Sequence, residues 1–124
     1  MPHTTVEYSD QLADAFDRQA FGRALHPLVA RTLDISVERC RTRFWRVTES
    51  VLGDGTGDGA MIRIVVGLLP GRSAETRAPL TRAILELARE HLRPAAGRSL
   101  GLVHVSVDIQ DLDAAYVMRQ QEFR

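Results

Sequence analysis

The sequence contains no lysine and no asparagine, and all sixteen of its basic side chains are arginine. Without lysine the chain offers no Schiff base, no phosphate-loop lysine and no amine other than its own amino terminus. Cys40 is its only cysteine, which excludes an internal disulfide and argues against a cysteine metal site. No apolar run reaches the roughly 20 residues of a membrane span, and no signal peptide pattern opens the chain, so we expect a cytoplasmic protein.

Length and composition predict one globular domain over residues 1–124. The chain is 44% apolar and 26% charged, and a chain of this size buries roughly two thirds of its unfolded surface. Sixteen acidic side chains balance the sixteen arginines. The net charge of zero argues against a general nucleic-acid binder and against a protein that binds membrane surfaces.

The pattern of apolar residues predicts strand, helix and strand, then a glycine-rich hairpin loop at 53–59, then strand, helix and strand again. Ser9 and Ser73 are the expected helix caps. Gly22 and Pro27 are expected to bend or divide the first helix. The predicted strands cover 2–8, 41–50, 60–69 and 102–109, and the predicted helices cover 10–33 and 74–94.

These elements form two βαβ halves, at about 1–52 and 60–110, followed by a tail at 111–124. Right-handed crossovers place both helices on one face of a four-stranded mixed sheet. The predicted fold class is therefore α+β, with one layer of sheet and one layer of helices.

The third strand carries apolar residues on both of its sides. A chain this short has no further element to cover the side that the helices leave open. We therefore predict that another copy covers it, in a homo-oligomer. The apolar residues of the strand are Met61, Ile62, Ile64, Val65, Val66 and Leu68.

Three residues that are distant in sequence are predicted to meet at one edge of this sheet. The first two strands are parallel, so they begin at the same edge, near Pro2 and Arg41. The third strand returns through the hairpin, which brings Arg72 to the same edge.

Pro2 has the chemistry of a general base once Met1 is removed, because its nitrogen is then a free secondary amine. An ordinary α-amino group titrates at about 7.7 to 8.0. Burial beside guanidinium groups would lower that pKa and leave the amine neutral near pH 7. General bases are typically worth on the order of 10² to 10⁴ in rate. The alternative is that Pro2 only secures removal of Met1 and stiffens the strand.

Arg72 lies between a strand end and a helix amino terminus, in Gly71-Arg72-Ser73. Free backbone N–H groups, the positive end of the helix and a guanidinium then converge, which suits a carboxylate or a phosphate. The alternative is a surface arginine that precedes a serine cap.

A dense run of arginines opens the second strand, where Arg41, Arg43 and Trp45 share one face. We expect most of these arginines to be solvated or paired with Glu38 and Glu49. One or two would then remain to contact a ligand.

Cys40 and the four histidines form no recognisable catalytic or metal-binding set. The cations beside Cys40 would lower the pKa of its thiol, but no histidine and asparagine partners accompany it. We therefore predict no metal and no cofactor, and the roles of Cys40 and Trp45 stay open. The histidines without metal-ligand spacing are His3, His26, His91 and His104.

Three groups of residues, spread along the chain, carry a family resemblance. They resemble the 5-carboxymethyl-2-hydroxymuconate isomerase family of the tautomerase superfamily over essentially the whole length. The groups are Met1-Pro2-His3 with Val6-Glu7-Tyr8-Ser9-Asp10, then Arg41-Thr42-Arg43, and then Gly71-Arg72-Ser73 with Glu75 and Arg77.

The resemblance implies a duplicated βαβ fold assembled as a homotrimer, and a cofactor-free isomerase. The implied reaction converts 5-carboxymethyl-2-hydroxymuconate, a small anionic polycarboxylate, to its 2-oxo isomer in the breakdown of homoprotocatechuate. Pro2 would be the catalytic base. Arg41 and Arg72 would bind the carboxylates and the 2-oxo oxygen, and Arg43 would also bind substrate.

Three other interpretations are consistent with the same residues. The first is a tautomerase that acts on a different α-keto acid. The second is a trimeric module that binds an anionic metabolite without chemistry, and the third is a purely structural assembly domain. Loss of Arg41 and Arg72 would be tolerated only by the third.

Overall fold

The computed structural model describes residues 1–94 and 99–123, and within them it contains four strands and two α-helices. Their order is βαβ followed by βαβ, so the predicted α+β class is confirmed. The described part of the tail forms no helix or strand after Asp111, and Arg124 lies outside it. The strands are β1 (His3–Ser9), β2 (Arg41–Val47), β3 (Gly59–Leu68) and β4 (Leu102–Asp111), and the helices are α1 (Arg18–Leu33) and α2 (Ala74–Glu90).

The predicted hairpin between β2 and β3 is wrong, because β1 lies between these two strands. The sheet order is β2-β1-β3-β4, with β1 parallel to β2, β1 antiparallel to β3 and β3 parallel to β4. The crossover through α1 leaves one edge of β1 free, and β3 pairs there. The glycine-rich loop therefore crosses the end of β1. Gly53 and Gly55 adopt positive φ along this path, at little cost for glycine.

The first helix begins later than predicted, at Arg18. Ser9 makes no cap hydrogen bond. Its Oγ instead accepts the Met61 N–H at 2.8 Å, so the hydroxyl is used to hold β3 against the end of β1. Asp17 caps α1 by accepting the Ala20 N–H at 3.2 Å. Because the tertiary structure brings the Met61 N–H to the Ser9 hydroxyl, this oxygen does not cap a helix.

Neither Gly22 nor Pro27 divides α1, which is continuous from Arg18 to Leu33. Gly22 is buried against the Phe44 ring, where an added Cβ would lie 3.5 Å from the ring. The helix ends at Asp34, whose left-handed backbone (φ 55°) closes the last turn by donating to the Ala30 carbonyl.

Both helices pack on the same face of the sheet and form the core there. Val6 and Ile64 of the central strands are fully buried, as are Phe21 and Leu25 of α1 and Ile84 of α2. Among the helices of the described residues, none is long and apolar enough to cross a membrane.

The opposite face of the sheet, which we call the open face, is less apolar than predicted. Met61 and Val65 lie on it half-buried, but Arg63 is exposed between them and forms an ion pair with Glu7. Trp45 is 57% exposed on the same face. The remaining apolar residues predicted to lie on both sides of β3 all point into the core. These are Ile62, Ile64, Val66 and Leu68.

Candidate active site

The rim is the edge of the sheet at which β1 and β2 begin and β3 and β4 end. His3 pairs with Arg41 on one side and with Gly67 on the other. The Arg41 N–H donates to the Pro2 carbonyl at 3.2 Å, and Pro2 is buried. The predicted meeting of Pro2 and Arg41 is therefore found, and β3 reaches the same rim by pairing with β1 rather than through a hairpin.

Arg72 lies in the turn that follows β3, between the ends of the two helices. Its Nη1 donates to the Leu33 carbonyl at 3.0 Å, at the negative carboxyl end of α1. Ser73 caps α2 by accepting the Thr76 N–H at 3.3 Å, as predicted. This arrangement orients the Arg72 guanidinium and leaves its other N–H groups available to a ligand.

The arginines of β2 are held less tightly. The Arg41 Nη1 donates to the Glu38 carbonyl at 2.8 Å. Arg41 and Arg43 are exposed on the open face of the sheet, which Trp45 shares. Arg39 is also exposed, at the end of a short 3-10 turn, Val37–Arg39, that precedes β2.

The charges of these arginines act on the start of the chain. The pKa of the Met1 ammonium is lowered, by burial first and then by the Arg39, Arg41 and Arg72 guanidiniums, while Cys40 opposes the shift. Met1 is bonded directly to the Pro2 nitrogen, so the same surroundings apply at Pro2.

The arginines nearest the chain start have no carboxylate partner among the described residues. Within residues 1–94 and 99–123, four other arginines form ion pairs, of which Arg77–Asp111 lies at the β4 end of the same rim, whereas the four arginines beside the chain start form none. We call this second set the rim arginines. The ion pairs are Arg46–Asp10, Arg63–Glu7, Arg77–Asp111 and Arg89–Glu86, and the rim arginines are Arg39, Arg41, Arg43 and Arg72.

Of the two predicted alternatives for these arginines, the structure shows the solvated one, because they are exposed and none pairs with Glu38 or Glu49 in the described residues. Glu38 accepts a hydrogen bond from the Ser36 hydroxyl two residues earlier, which lowers the pKa of Glu38. In the part of the chain described above, neither Glu38 nor Glu49 forms an ion pair. The Glu38 carboxylate, which is adjacent in sequence to the arginines, is therefore engaged in a local hydrogen bond with Ser36.

The pKa of the Cys40 thiol is not set by the cationic residues next to it in the sequence. Burial raises the pKa of its thiol and outweighs the opposing charges of the amino terminus and Arg41. The side chain is 8% exposed, and its Sγ lies 3.8 Å from the His26 carbonyl. The predicted lowering of this pKa is therefore wrong, and Cys40 is a core residue.

A contact between the chain's two ends was not predicted. The Tyr116 hydroxyl lies 2.7 Å from His3 Nε2, and the two rings meet edge to face at 5.6 Å. The tail reaches this position because the Leu112 N–H donates to the Leu68 carbonyl at 2.6 Å and its side chain occupies the space above Gly67. Residues 113 apart carry no sequence pattern that would pair them.

The rim also changes the pKa of His3. Its pKa is lowered, by burial first and then by Arg43, the amino terminus and Arg41. The imidazole beside Pro2 is therefore neutral over a wider pH range than an ordinary histidine. Among the described residues, no group of three histidine, cysteine or acidic side chains could hold a metal ion.

Two cavities lie away from the rim arginines. One, of 620 Å³, is at the opposite end of the sheet, where the glycine-rich loop meets Ser99 and Gly101. The other, of 400 Å³, lies beside the Glu7 and Arg63 pair, with His104 in its wall. Neither is lined by Pro2 or by a rim arginine.

The duplicated βαβ sheet, with Pro2 buried at its rim and arginine charges acting on the chain start, is the arrangement of the tautomerase superfamily. The chain belongs to the 5-carboxymethyl-2-hydroxymuconate isomerase family, whose sequence profile matches residues 2–124.

Individual proteins agree with this assignment. The chain is 28% identical over 120 residues to the 5-carboxymethyl-2-hydroxymuconate Delta-isomerase of Escherichia coli, covering 97% of this chain and 94% of that protein. The crystal structure of a 5-carboxymethyl-2-hydroxymuconate isomerase from Deinococcus radiodurans R1 superposes with a TM-score of 0.80 at 23% identity, covering 98% and 90% of the two chains. A fused 4-OT symmetric trimer has a TM-score of 0.68 at 20% identity, covering 89% and 85%.

The placement of Arg43 beside His3 can be tested by titration. We expect His3 to titrate below the usual pKa of about 6.5, and Arg43→Gln to raise the pKa of His3 because it removes a charge that disfavours the imidazolium. NMR titration of the His3 ring protons measures both values. Arg23→Gln, at an exposed position near the start of α1, is the matched control. An unchanged His3 pKa in Arg43→Gln would contradict this charge effect.

Proposed function

We propose that this chain converts 5-carboxymethyl-2-hydroxymuconate to its 2-oxo isomer, with Pro2 as the general base, in the breakdown of homoprotocatechuate. The observation that carries the proposal is the buried Pro2, with three unpaired guanidiniums acting on the chain start and a fourth, of Arg43, acting on His3. The family assignment and the name of the Escherichia coli relative support the same reaction.

The charge of the substrate matches the rim. 5-Carboxymethyl-2-hydroxymuconate is a conjugated 2-hydroxy-diene with three carboxylates. Guanidinium groups bind carboxylates through two parallel N–H donors, which fixes orientation as well as position. We assign Arg72 to the 2-oxygen with its neighbouring carboxylate, and Arg41 with Arg43 to carboxylate binding.

The reaction is a proton transfer with a shift of double bonds. The neutral Pro2 nitrogen takes the proton from the 2-hydroxyl group, and negative charge develops on the 2-oxygen. The Arg72 guanidinium, held by the Leu33 carbonyl, stabilises this charge without having to reorient. The protonated Pro2 then returns the proton to a distant carbon of the conjugated system. One O–H bond breaks and one C–H bond forms.

The amino-terminal nitrogen must be free for this role. With Met1 attached, the Pro2 nitrogen is an amide and accepts no proton. After removal of Met1 the new terminus is a secondary amine at a buried position, one residue deeper than the Met1 ammonium whose pKa is already lowered.

The pH dependence tests the base. We expect kcat/KM to fall as the pH drops through the pKa of the terminal amine, because the protonated form cannot accept the enol proton. The midpoint should lie below the 7.7 to about 8.0 of an ordinary α-amino group. The measurement is a pH-rate profile on protein whose mass shows that Met1 is absent. Protein that retains Met1 is the control, with a loss on the order of 10² or more in rate. Full activity with Met1 present removes Pro2 from the mechanism.

The charge-stabilising role of Arg72 can be measured directly. Arg72→Ala should cost about 2 to 4 kcal/mol in kcat/KM, because the developing oxyanion loses its donor. Arg23→Ala, at an exposed position on α1, should leave kcat/KM within a factor of about two, as most surface substitutions do. Circular dichroism of both variants checks that the fold is intact. Unchanged turnover in a folded Arg72→Ala protein would refute the role.

We further propose that the chain assembles as a homotrimer through its open face. Met61 and Val65 lie half-buried there with no element of the described chain over them. The fused 4-OT neighbour, which shares the fold, is a symmetric trimer.

Assembly through the open face predicts a sedimenting species of three times the 13.8 kDa chain mass. Val65→Glu should shift this species toward monomer, because a carboxylate on the contact would lose its water. Leu85→Glu, at a position 43% exposed on α2, is the control and should sediment as the wild type does. A wild-type monomer at micromolar concentration would overturn the assembly.

A further inference from the structure

Arg39 is a rim arginine that the family resemblance leaves without a role, although its backbone is firmly placed. The Arg39 N–H donates to the Ser36 carbonyl at 3.0 Å, and the next N–H, of Cys40, donates to the Val37 carbonyl at 3.0 Å. Cys40 is buried, and the residue after it, Arg41, is bonded to Pro2. The backbone of Arg39 is therefore fixed two residues from the contact that holds the chain start.

The side chains of Arg39 and Arg43 are less committed than those of Arg41 and Arg72. Arg41 and Arg72 each use one N–H group on a carbonyl oxygen. Arg39 is exposed and makes no side-chain hydrogen bond or ion pair with residues 1–94 or 99–123. The adjacent carboxylate, of Glu38, is bonded to Ser36 instead. All five guanidinium donors of Arg39 are thus available to a ligand.

The charge of Arg39 affects the amino group at the chain start. Among the arginines that lower the pKa of the Met1 ammonium, Arg39 has the largest effect, ahead of Arg41 and Arg72. The Arg39 charge therefore acts on the chain start, two residues from the backbone bond between Arg41 and Pro2.

We propose that Arg39 binds the carboxymethyl carboxylate and thereby makes the site selective for tricarboxylate over dicarboxylate substrates. This inference rests on the proposed function. With Arg72, Arg41 and Arg43 assigned to the 2-oxygen and the two carboxylates of the hexadiene chain, the third carboxylate needs a further cation. Arg39 is the remaining rim arginine, and it acts as a specificity-determining residue rather than in proton transfer.

The test compares Arg39→Gln with the wild type on two substrates. One is 5-carboxymethyl-2-hydroxymuconate, and the other is 2-hydroxymuconate, which lacks the carboxymethyl group. Loss of one charge-assisted contact should lower kcat/KM for the tricarboxylate by roughly tenfold. The same variant should change kcat/KM for the dicarboxylate by less than a factor of about two.

Arg23→Gln removes the same charge from an exposed site on α1 and serves as the matched control. It should leave the ratio of kcat/KM for the two substrates unchanged. If Arg39→Gln lowers kcat/KM equally for both substrates, or lowers neither, the inference is wrong.

A binding experiment separates this inference from the isomerase proposal. Isothermal titration with tricarballylate and with glutarate compares a tricarboxylate and a dicarboxylate that cannot isomerise. Arg39→Gln should weaken tricarballylate binding by roughly tenfold and leave glutarate binding unchanged. That result, even without turnover in any protein, supports Arg39 while the isomerase proposal fails. Equal losses for both ligands, or no tricarballylate binding in the wild type, would overturn the role of Arg39.

Discussion

The position of β1 inside the sheet is the constraint on which the rest of the molecule depends. β1 pairs with β2 along one edge and with β3 along the other, so the first residues of the chain have hydrogen-bonded neighbours on both sides. Val6 at its centre is fully buried. A terminus that begins such a strand cannot fray as most termini do. The chain start therefore becomes a fixed part of the interior edge, where burial and charge can change its chemistry.

The distribution of ion pairs divides the arginines into two groups. Most of those paired with carboxylates, such as Arg63 with Glu7, lie away from the rim, whereas Arg77 pairs with Asp111 at the end of β4. The rim arginines repel one another without such compensation in the described structure, which works against the folded state. An anion that binds among them removes this repulsion. Because every cation is an arginine, each offers a planar set of donors suited to carboxylates rather than a single point charge.

The sequence was sufficient where local patterns decide the outcome. The order of elements, the Ser73 cap and the placement of Arg72 follow from periodicity and helix-end chemistry. It was insufficient where distant segments compete for one group. The Ser9 hydroxyl bonds to β3 instead of capping a helix, and Cys40 is governed by burial rather than by its cationic neighbours. The pairing of β3 with β1 could not be inferred from a loop composition that also suits a hairpin.

Gly67 shows how far a missing side chain can act. A Cβ at this position would lie 2.8 Å from Leu112 Cδ2, so even the smallest replacement would require the Leu112 side chain to shift. Tyr116, four residues further along the same segment, contacts the His3 ring. The absence of a side chain at Gly67 of β3 thus leaves the space in which Leu112 of the carboxyl-terminal segment packs. Through this packing contact and the Tyr116–His3 hydrogen bond, the carboxyl-terminal segment helps to define the environment of the first residues.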